Sequence, residues 1–384
     1  MASDQLQNRL QTLTALDSTQ VTEIVRRAQA SPSFEIGSWD VRQLSSDGGI
    51  NPEGLFLFSG DGNDERGQRP WSIVLKILQS RTPEPDPSHA WHWKREYWVM
   101  ESGLLNALPG PLTAPRCYGV EIQPDGVWIW MEHILDCSPR RWGTDEFVFA
   151  AEQLGQTTGA WLSSGSKLDY PWLSRGIAQT WAEGFGPREE IWANEYVNRA
   201  WSNSMKERLM AVWAERARLN AALERLPQTF AHFDSQRRNL MIRKRPDGND
   251  ELVAVDWAWC GIGPVGADAA ILIGNSMILL EADPKVGRQL DEAVFPSYLA
   301  GLHAAGWNGN IDEVRLAYAA ANALFCGVIA PWALSVLTSP EWIARTKDNF
   351  GLDASGSAEH CVQMGAFGVE LGEEALQLIN RYFQ

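Results

Sequence analysis

The spacing of hydrophobic and polar positions changes character near residue 135. Residues 1–30 read as one or two short helices. Val21, Ile24 and Val25 recur at helical spacing, and Asp17 with Gln20 three residues later resembles a capping box ahead of them. From about residue 34 the period shortens to two, which predicts strands at Trp39–Leu44, Gly54–Phe58 and Trp71–Leu78, the first two joined by a small-residue turn over Ser45–Asn51. A proline-rich loop at 81–88 leads into a predicted helix around 91–108. Arg116–Ile122 and Val127–Met131 follow as two more strands about a Pro124-Asp125-Gly126 turn. Beyond 135 the apolar spacing is helical over Phe147–Leu162, Ser204–Leu226, Leu290–Ala305, Ile311–Leu337 and Ala358–Tyr382. Residues 163–200, rich in Gly, Trp and Pro, show no clear period and read as an irregular insertion with short helices on the substrate side. No internal repeat is visible. The expected class is α+β, with an N-terminal helical extension and an antiparallel sheet plus helix in residues 1–135, and a larger, mainly helical part in residues 136–384.

One stretch, His232–Trp257, departs from simple patterning in a chemically informative way. Asp234 is followed five residues later by Asn239, then by the apolar strand Leu240–Ile242, a turn at Pro246-Asp247-Gly248, and a second strand, Leu252–Val255, that ends at Asp256. A hairpin of this kind brings its outer ends together, so Asn239 and Asp256 are expected to face one site. A carboxylate at Asp234 can take or orient the proton of an attacking hydroxyl. The Asn239 amide oxygen and the Asp256 carboxylate can hold metal ions that bridge phosphates. Each residue alone also has a plainer explanation: Asp234 as a turn residue, Asn239 as a strand-start cap, Asp256 as a buried structural aspartate. Lys76 adds to the set. It sits mid-strand between Leu75 and Ile77, where a charge is costly unless paired, although strict alternation would instead point it to solvent.

The pattern His232-x-Asp234-x-x-x-x-Asn239, the apolar strand and Val255-Asp256-Trp257 resemble the aminoglycoside phosphotransferase and choline kinase-like group of small-molecule kinases, which share the protein kinase-like fold. The continuation Gly261–Ala269 is similar too, with a Gly-Pro turn and Asp268-x-Ala270 after the metal aspartate. The match is close over roughly 40 contiguous residues and weaker over most of residues 35–270. Two positions depart from pattern: Phe233 stands where the family usually has Gly, and Trp257 where protein kinases have Phe. The resemblance implies a two-lobed, protein kinase-like fold and phosphoryl transfer from ATP, with Mg²⁺, to a hydroxyl of a small molecule. It implies that Asp234 serves as the base, that Asn239 and Asp256 are metal ligands, and that Lys76 contacts the α/β phosphates. For the glutamate paired with Lys76 it implies Glu96, near the start of its helix, over Glu101. It further implies a nucleotide loop at Gly48-Gly49 and a hinge whose backbone from Glu132 to Ile134 meets the purine. His232 and Asp268 are implied as braces of the catalytic loop. Arg237 and Arg238 lie within that loop, where one can approach the γ-phosphate or an acidic substrate, with solvent exposure or a structural ion pair as the plainer alternatives.

Bulk properties narrow the reading. The 384 residues suffice for two sizeable cores, and 45% hydrophobic with 21% charged residues suits a globular enzyme. No run approaches the ~18 apolar residues of a membrane span. The polar N-terminus and five scattered cysteines without a CxxC pair are expected of a cytoplasmic protein with reduced thiols. A net charge of −15 disfavours nucleic acid as partner and suits a neutral or cationic acceptor, although a solvated acidic surface explains most of it. Among 19 tryptophans, Trp161, Trp172, Trp181 and Trp192 surround the insertion, where a ring can stack on a substrate or simply pack. The rival readings are a protein Ser/Thr kinase, which lacks its D-F-G and A-P-E signatures here, and an inactive nucleotide-binding scaffold. The acceptor, ATP against GTP, and the oligomeric state are not legible.

Overall fold

The computed structural model describes residues 3–44, 54–79, 86–124, 126–166 and 168–382. It divides into two compact units: Met1–Pro85 with His92–Ala107 and Thr113–Asp136, and Asp86–Trp91 with Leu108–Leu112 and Cys137–Gln384.

The first unit opens with helices α1 (Ser3–Thr14) and α2 (Ser18–Gln29). Strands β1 (Glu35–Gln43), β2 (Leu55–Asp64) and β3 (Gly67–Leu78), helix α3 (Arg95–Glu101), and strands β4 (Cys117–Gln123) and β5 (Gly126–Glu132) follow. The sheet is antiparallel in the order β1-β2-β3-β5-β4. Period-two alternation sorts its faces. Phe56, Phe58, Ile73, Leu75 and Trp130 join Leu13, Val21 and Ile24 of the two helices in one apolar cluster. Each such side chain contributes about 1.5–3 kcal/mol by leaving water. Lys76, one residue out of phase, belongs to the opposite face. Asp17 does cap α2, accepting from the Thr19 N–H at 2.8 Å, but the reciprocal half of the expected capping box is absent. Gln20 instead donates to Glu121 of β4 at 2.7 Å and ties the helix to the sheet. The helix expected over 91–108 is shorter. Gly103, at φ 72°, ends α3, and a 3₁₀ turn at Leu104–Ala107 follows.

The second unit begins with α4 (Thr144–Ser164), α5 (Ile177–Phe185), α6 (Glu189–Ala193), α7 (Glu195–Ala200), α8 (Asn203–Ala214) and α9 (Arg216–Arg225). Four short strands come next: β6 (Gln228–Ala231), β7 (Leu240–Lys244), β8 (Asp250–Ala254) and β9 (Gly261–Pro264). The chain ends in α10 (Ala267–Ile278), α11 (Gly287–Ala304), α12 (Ile311–Asn322), α13 (Ala330–Leu337), α14 (Pro340–Phe350) and α15 (Ala354–Tyr382). The single helix expected over Ser204–Leu226 is two, because Glu215 leaves helical geometry at ψ 4°. Helices α4 and α11 meet backbone to backbone. A Cβ at Gly155 would lie 2.1 Å from the Tyr298 carbonyl oxygen, and one at Gly301 2.2 Å from that of Glu152. The run Ile311–Leu337 is α12, a π-helical turn and α13. It is long and apolar enough to cross a bilayer, but 83% of its most apolar window is buried inside the protein, as befits a core helix.

Candidate active site

The hairpin predicted downstream of Asn239 forms, with Leu240 opposite Ala254 and Ile242 opposite Leu252. The Val255 N–H then donates to the Asn239 carbonyl at 2.8 Å, so Asn239 and Asp256 leave the ladder at the same end. A second pair of strands pins this segment. Gln228–Ala231 run antiparallel to Gly261–Pro264, with Ala231 opposite Gly261. The Gly-Pro sequence expected as a turn is therefore a strand. The reversal comes later, at Gly266 (φ 110°), which opens α10.

Asp234 is held at both carboxylate oxygens. Asn239 donates Nδ2 to Oδ2 at 2.6 Å and to the Asp234 carbonyl at 3.0 Å, and Asn275 of α10 donates Nδ2 to Oδ1 at 3.3 Å. Because Nδ2 of Asn239 is engaged, its Oδ1 is turned away from Asp234. His232 lies beneath. Its Nδ1 accepts the Asp234 N–H at 3.1 Å, so its Nε2 is the donor to the Val255 carbonyl at 3.0 Å. Both ring nitrogens are thus spent on bracing the loop. Asp268, buried, accepts the N–H groups of His232 and Phe233 at 2.8 Å each, and Ser235 donates to its carbonyl at 2.8 Å. Burial pushes the Asp268 carboxyl up to about 6, against the pull of those hydrogen bonds.

Two non-glycine residues of this segment adopt left-handed backbone, Phe233 at φ 60° and Asp256 at φ 62°. Such conformations cost of order 1 kcal/mol and persist where the surroundings impose them. For Phe233 the surroundings are visible. Asp268 grips its N–H, and Gly263 leaves room for its ring: a Cβ there would lie 2.2 Å from Phe233 Cζ. Trp257 follows Asp256 into the core, stacks on Phe230 at 5.8 Å, meets His232 at 4.4 Å, and donates Nε1 to the Ala254 carbonyl at 2.8 Å.

In the first unit Lys76 does not point to solvent. Its Nζ lies 2.6 Å from Oε2 of Glu96, whose side chain is fully buried. Glu101 is engaged elsewhere, accepting from the Tyr97 hydroxyl at 2.8 Å. Glu132 closes β5, its N–H donating to the Arg116 carbonyl at 2.9 Å, and Ile134 is buried two residues on. Gly48 and Gly49 lie outside the described residues. Arg237 and Arg238 are tied to structure: Arg237 donates to the Pro139 carbonyl at 2.9 Å and lies over Trp142, and Arg238 pairs with Glu281 at 2.7 Å. The tryptophans around residues 163–200 pack on other aromatic rings. Trp181 lies 4.9 Å from Trp259 and 4.7 Å from Phe185, and Trp161 lies 5.5 Å from Phe230. Asn275 is the site neighbour that sequence reading missed, and its one signal was an asparagine inside a largely apolar helix.

The model of the phosphotransferase enzyme family matches residues 102–308, more than half of the chain. The chain belongs to the phosphotransferase enzyme family. Its matched region contains Asp234, Asn239 and Asp256, and it is the family that the His232–Asn239 motif resembles. Among solved structures, the microcompartment-associated aminopropanol kinase aligns with this phosphotransferase-family chain at a TM-score of 0.50 and 16% identity, covering 93% of this chain and 98% of its own. An aminoglycoside phosphotransferase from Alicyclobacillus acidocaldarius aligns at 0.49 and 14%, covering 88% and 93%. Amicoumacin kinase, solved with AMP-PNP and Ca²⁺, aligns at 0.47 and 14%, covering 87% and 88%. At these identities the likeness to the aminopropanol kinase speaks to the fold, which is α+β and kinase-like. No curated protein sequence is significantly similar.

Proposed function

We propose that this member of the family transfers the γ-phosphoryl group of ATP to a hydroxyl of a small molecule. The observation that carries the proposal is the held carboxylate of Asp234. An aspartate with its backbone N–H, carbonyl and both carboxylate oxygens fixed by His232, Asn239 and Asn275 is oriented as a base for one incoming hydroxyl. The donors beside it fit a divalent cation. Asn239 turns its amide oxygen away from Asp234, and Asp256 offers a carboxylate at the same end of the hairpin. Both are hard oxygen ligands suited to Mg²⁺ that is also held by phosphates. Bound there, Mg²⁺ supplies charge neutralisation across the phosphates. Lys76, fixed by buried Glu96, takes the α/β phosphates. Glu132 and Ile134 take the purine through the backbone. The Glu132 N–H is committed to Arg116, so its contact runs through the carbonyl. Gly48 and Gly49 are assigned to the phosphate loop on sequence alone. The acidic chain, at −15, suits a cationic acceptor such as an aminoglycoside or amino alcohol better than an anionic one.

The test is magnesium-dependent ADP release across aminoglycosides, amino alcohols, sugars and nucleosides, with Asp234→Asn as control. Losing a general base costs on the order of 10² to 10⁴ in rate. One acceptor should accelerate release by the wild type and not by the variant. An equally active variant overturns the role of Asp234.

A further inference from the structure

Helix α10 is apolar along most of its length, with Ile271, Leu272, Ile273 and Met277 all fully buried. Asn275 interrupts it at 7% exposure. A carboxylate can only accept, so Nδ2 of Asn275 must be the atom facing Oδ1 of Asp234, and Oδ1 of Asn275 must point elsewhere. That oxygen is buried and meets no donor among the described residues. An apolar residue would avoid the cost of a buried acceptor left unpaired. Among the described residues, the one hydrogen bond its side chain makes in return is the N–H placed on Asp234.

We infer that Asn275 is a positioning residue for Asp234. It holds one carboxylate oxygen while Asn239 holds the other, and so fixes the carboxylate plane toward the acceptor hydroxyl. The inference rests on the proposed role of Asp234 as base. At 3.3 Å the Asn275 contact is longer than the 2.6 Å contact from Asn239. Such bonds tighten when the reacting complex forms. Asn275 holds no proton that must move. It acts only through Asp234, which distinguishes it from a core asparagine whose loss would simply weaken the fold.

Asn275→Leu separates the two roles. It removes the orphan oxygen together with the donor, so the thermal midpoint should stay level or rise. Turnover should fall roughly 10- to 100-fold as the carboxylate loosens, with KM for ATP within about twofold. In an Asp234→Asn background the same substitution should add no further loss, because the route through Asp234 is already gone. A lowered midpoint with turnover within about threefold of wild type would reduce Asn275 to a structural residue. A readout independent of any acceptor accompanies these assays. The side-chain amide of Asn275 is assigned in ¹⁵N-labelled protein by its disappearance in Asn275→Leu. Its exchange with water should quicken at least about tenfold in Asp234→Ala, and unchanged exchange overturns the inference. Absence of turnover with every acceptor counts against the proposed reaction, while the amide readout still decides whether Asn275 holds Asp234.

Discussion

Asp268→Asn removes the carboxylate from which the loop beneath Asp234 hangs. Asp268 accepts the His232 and Phe233 N–H groups at 2.8 Å each, on separate oxygens. An amide of the same shape keeps one acceptor and turns an NH₂ toward the other donor. A loop displacement of about 1 Å can cost roughly 10² in rate, so turnover should fall by about that much. Stability should respond through pH. Burial lifts the folded-state pKa from 3.8 to about 6, so the folded protein binds the proton more tightly than the unfolded chain. The contribution of Asp268 is therefore fully present below about pH 3.8 and is lost as pH rises through about 6. At 1.36 kcal/mol per pH unit the interval amounts to about 3 kcal/mol. Asparagine does not titrate, so wild-type stability minus variant stability, measured by urea unfolding from about pH 4.5 to 8, isolates this group. The difference should decrease with rising pH, by about 1.4 kcal/mol per unit below 6, and level off above 7. Parallel curves would refute the linkage, and an unchanged turnover would refute the loop-support role.

Lys76→Met should destabilise the first unit by about 3–5 kcal/mol, because it strips the ammonium from a fully buried carboxylate; Lys76→Met with Glu96→Gln should recover much of that in urea unfolding. Gly263→Ala should also destabilise, since its Cβ collides with the Phe233 ring. Adding Phe233→Ala should cost less than the sum of the two single changes, whereas strict additivity would mean the ring is not what Gly263 accommodates.

Elements with long, regular patterns were legible from the chain alone: the five strands of the first unit, the β7–β8 hairpin, and α4, α11 and α15. Short-range chemistry decided the rest. The β6–β9 pair escaped because Gly261–Pro264 carries glycines and a proline, residue types that argue against a strand unless a partner supplies the ladder. Helix α14 went unread. The break at Glu215 has no Gly or Pro to announce it. Within the site, the spacing of Asp234, Asn239 and Asp256 stood out because motif and hairpin coincide in sequence. Asn275 and the Phe233–Gly263 fit depend on contacts between residues 30 or more positions apart, which no local period records. The Lys76–Glu96 pair lay between these cases: a charged residue in an apolar strand demanded a partner, the resemblance pointed to Glu96 over Glu101, and the fold sets Glu96 on Lys76 and Glu101 on Tyr97.

The most direct test of phosphoryl transfer to a small molecule is to follow the phosphate itself. Wild type and Asp234→Asn are incubated with Mg²⁺, γ-labelled ATP and each acceptor of the panel, and label is sought on the acceptor by mass spectrometry. Label on a hydroxyl of one acceptor with wild type, and roughly 10² or more less with the variant, is the expected result. Label appearing only as free phosphate with every acceptor, or equally with both proteins, would contradict it.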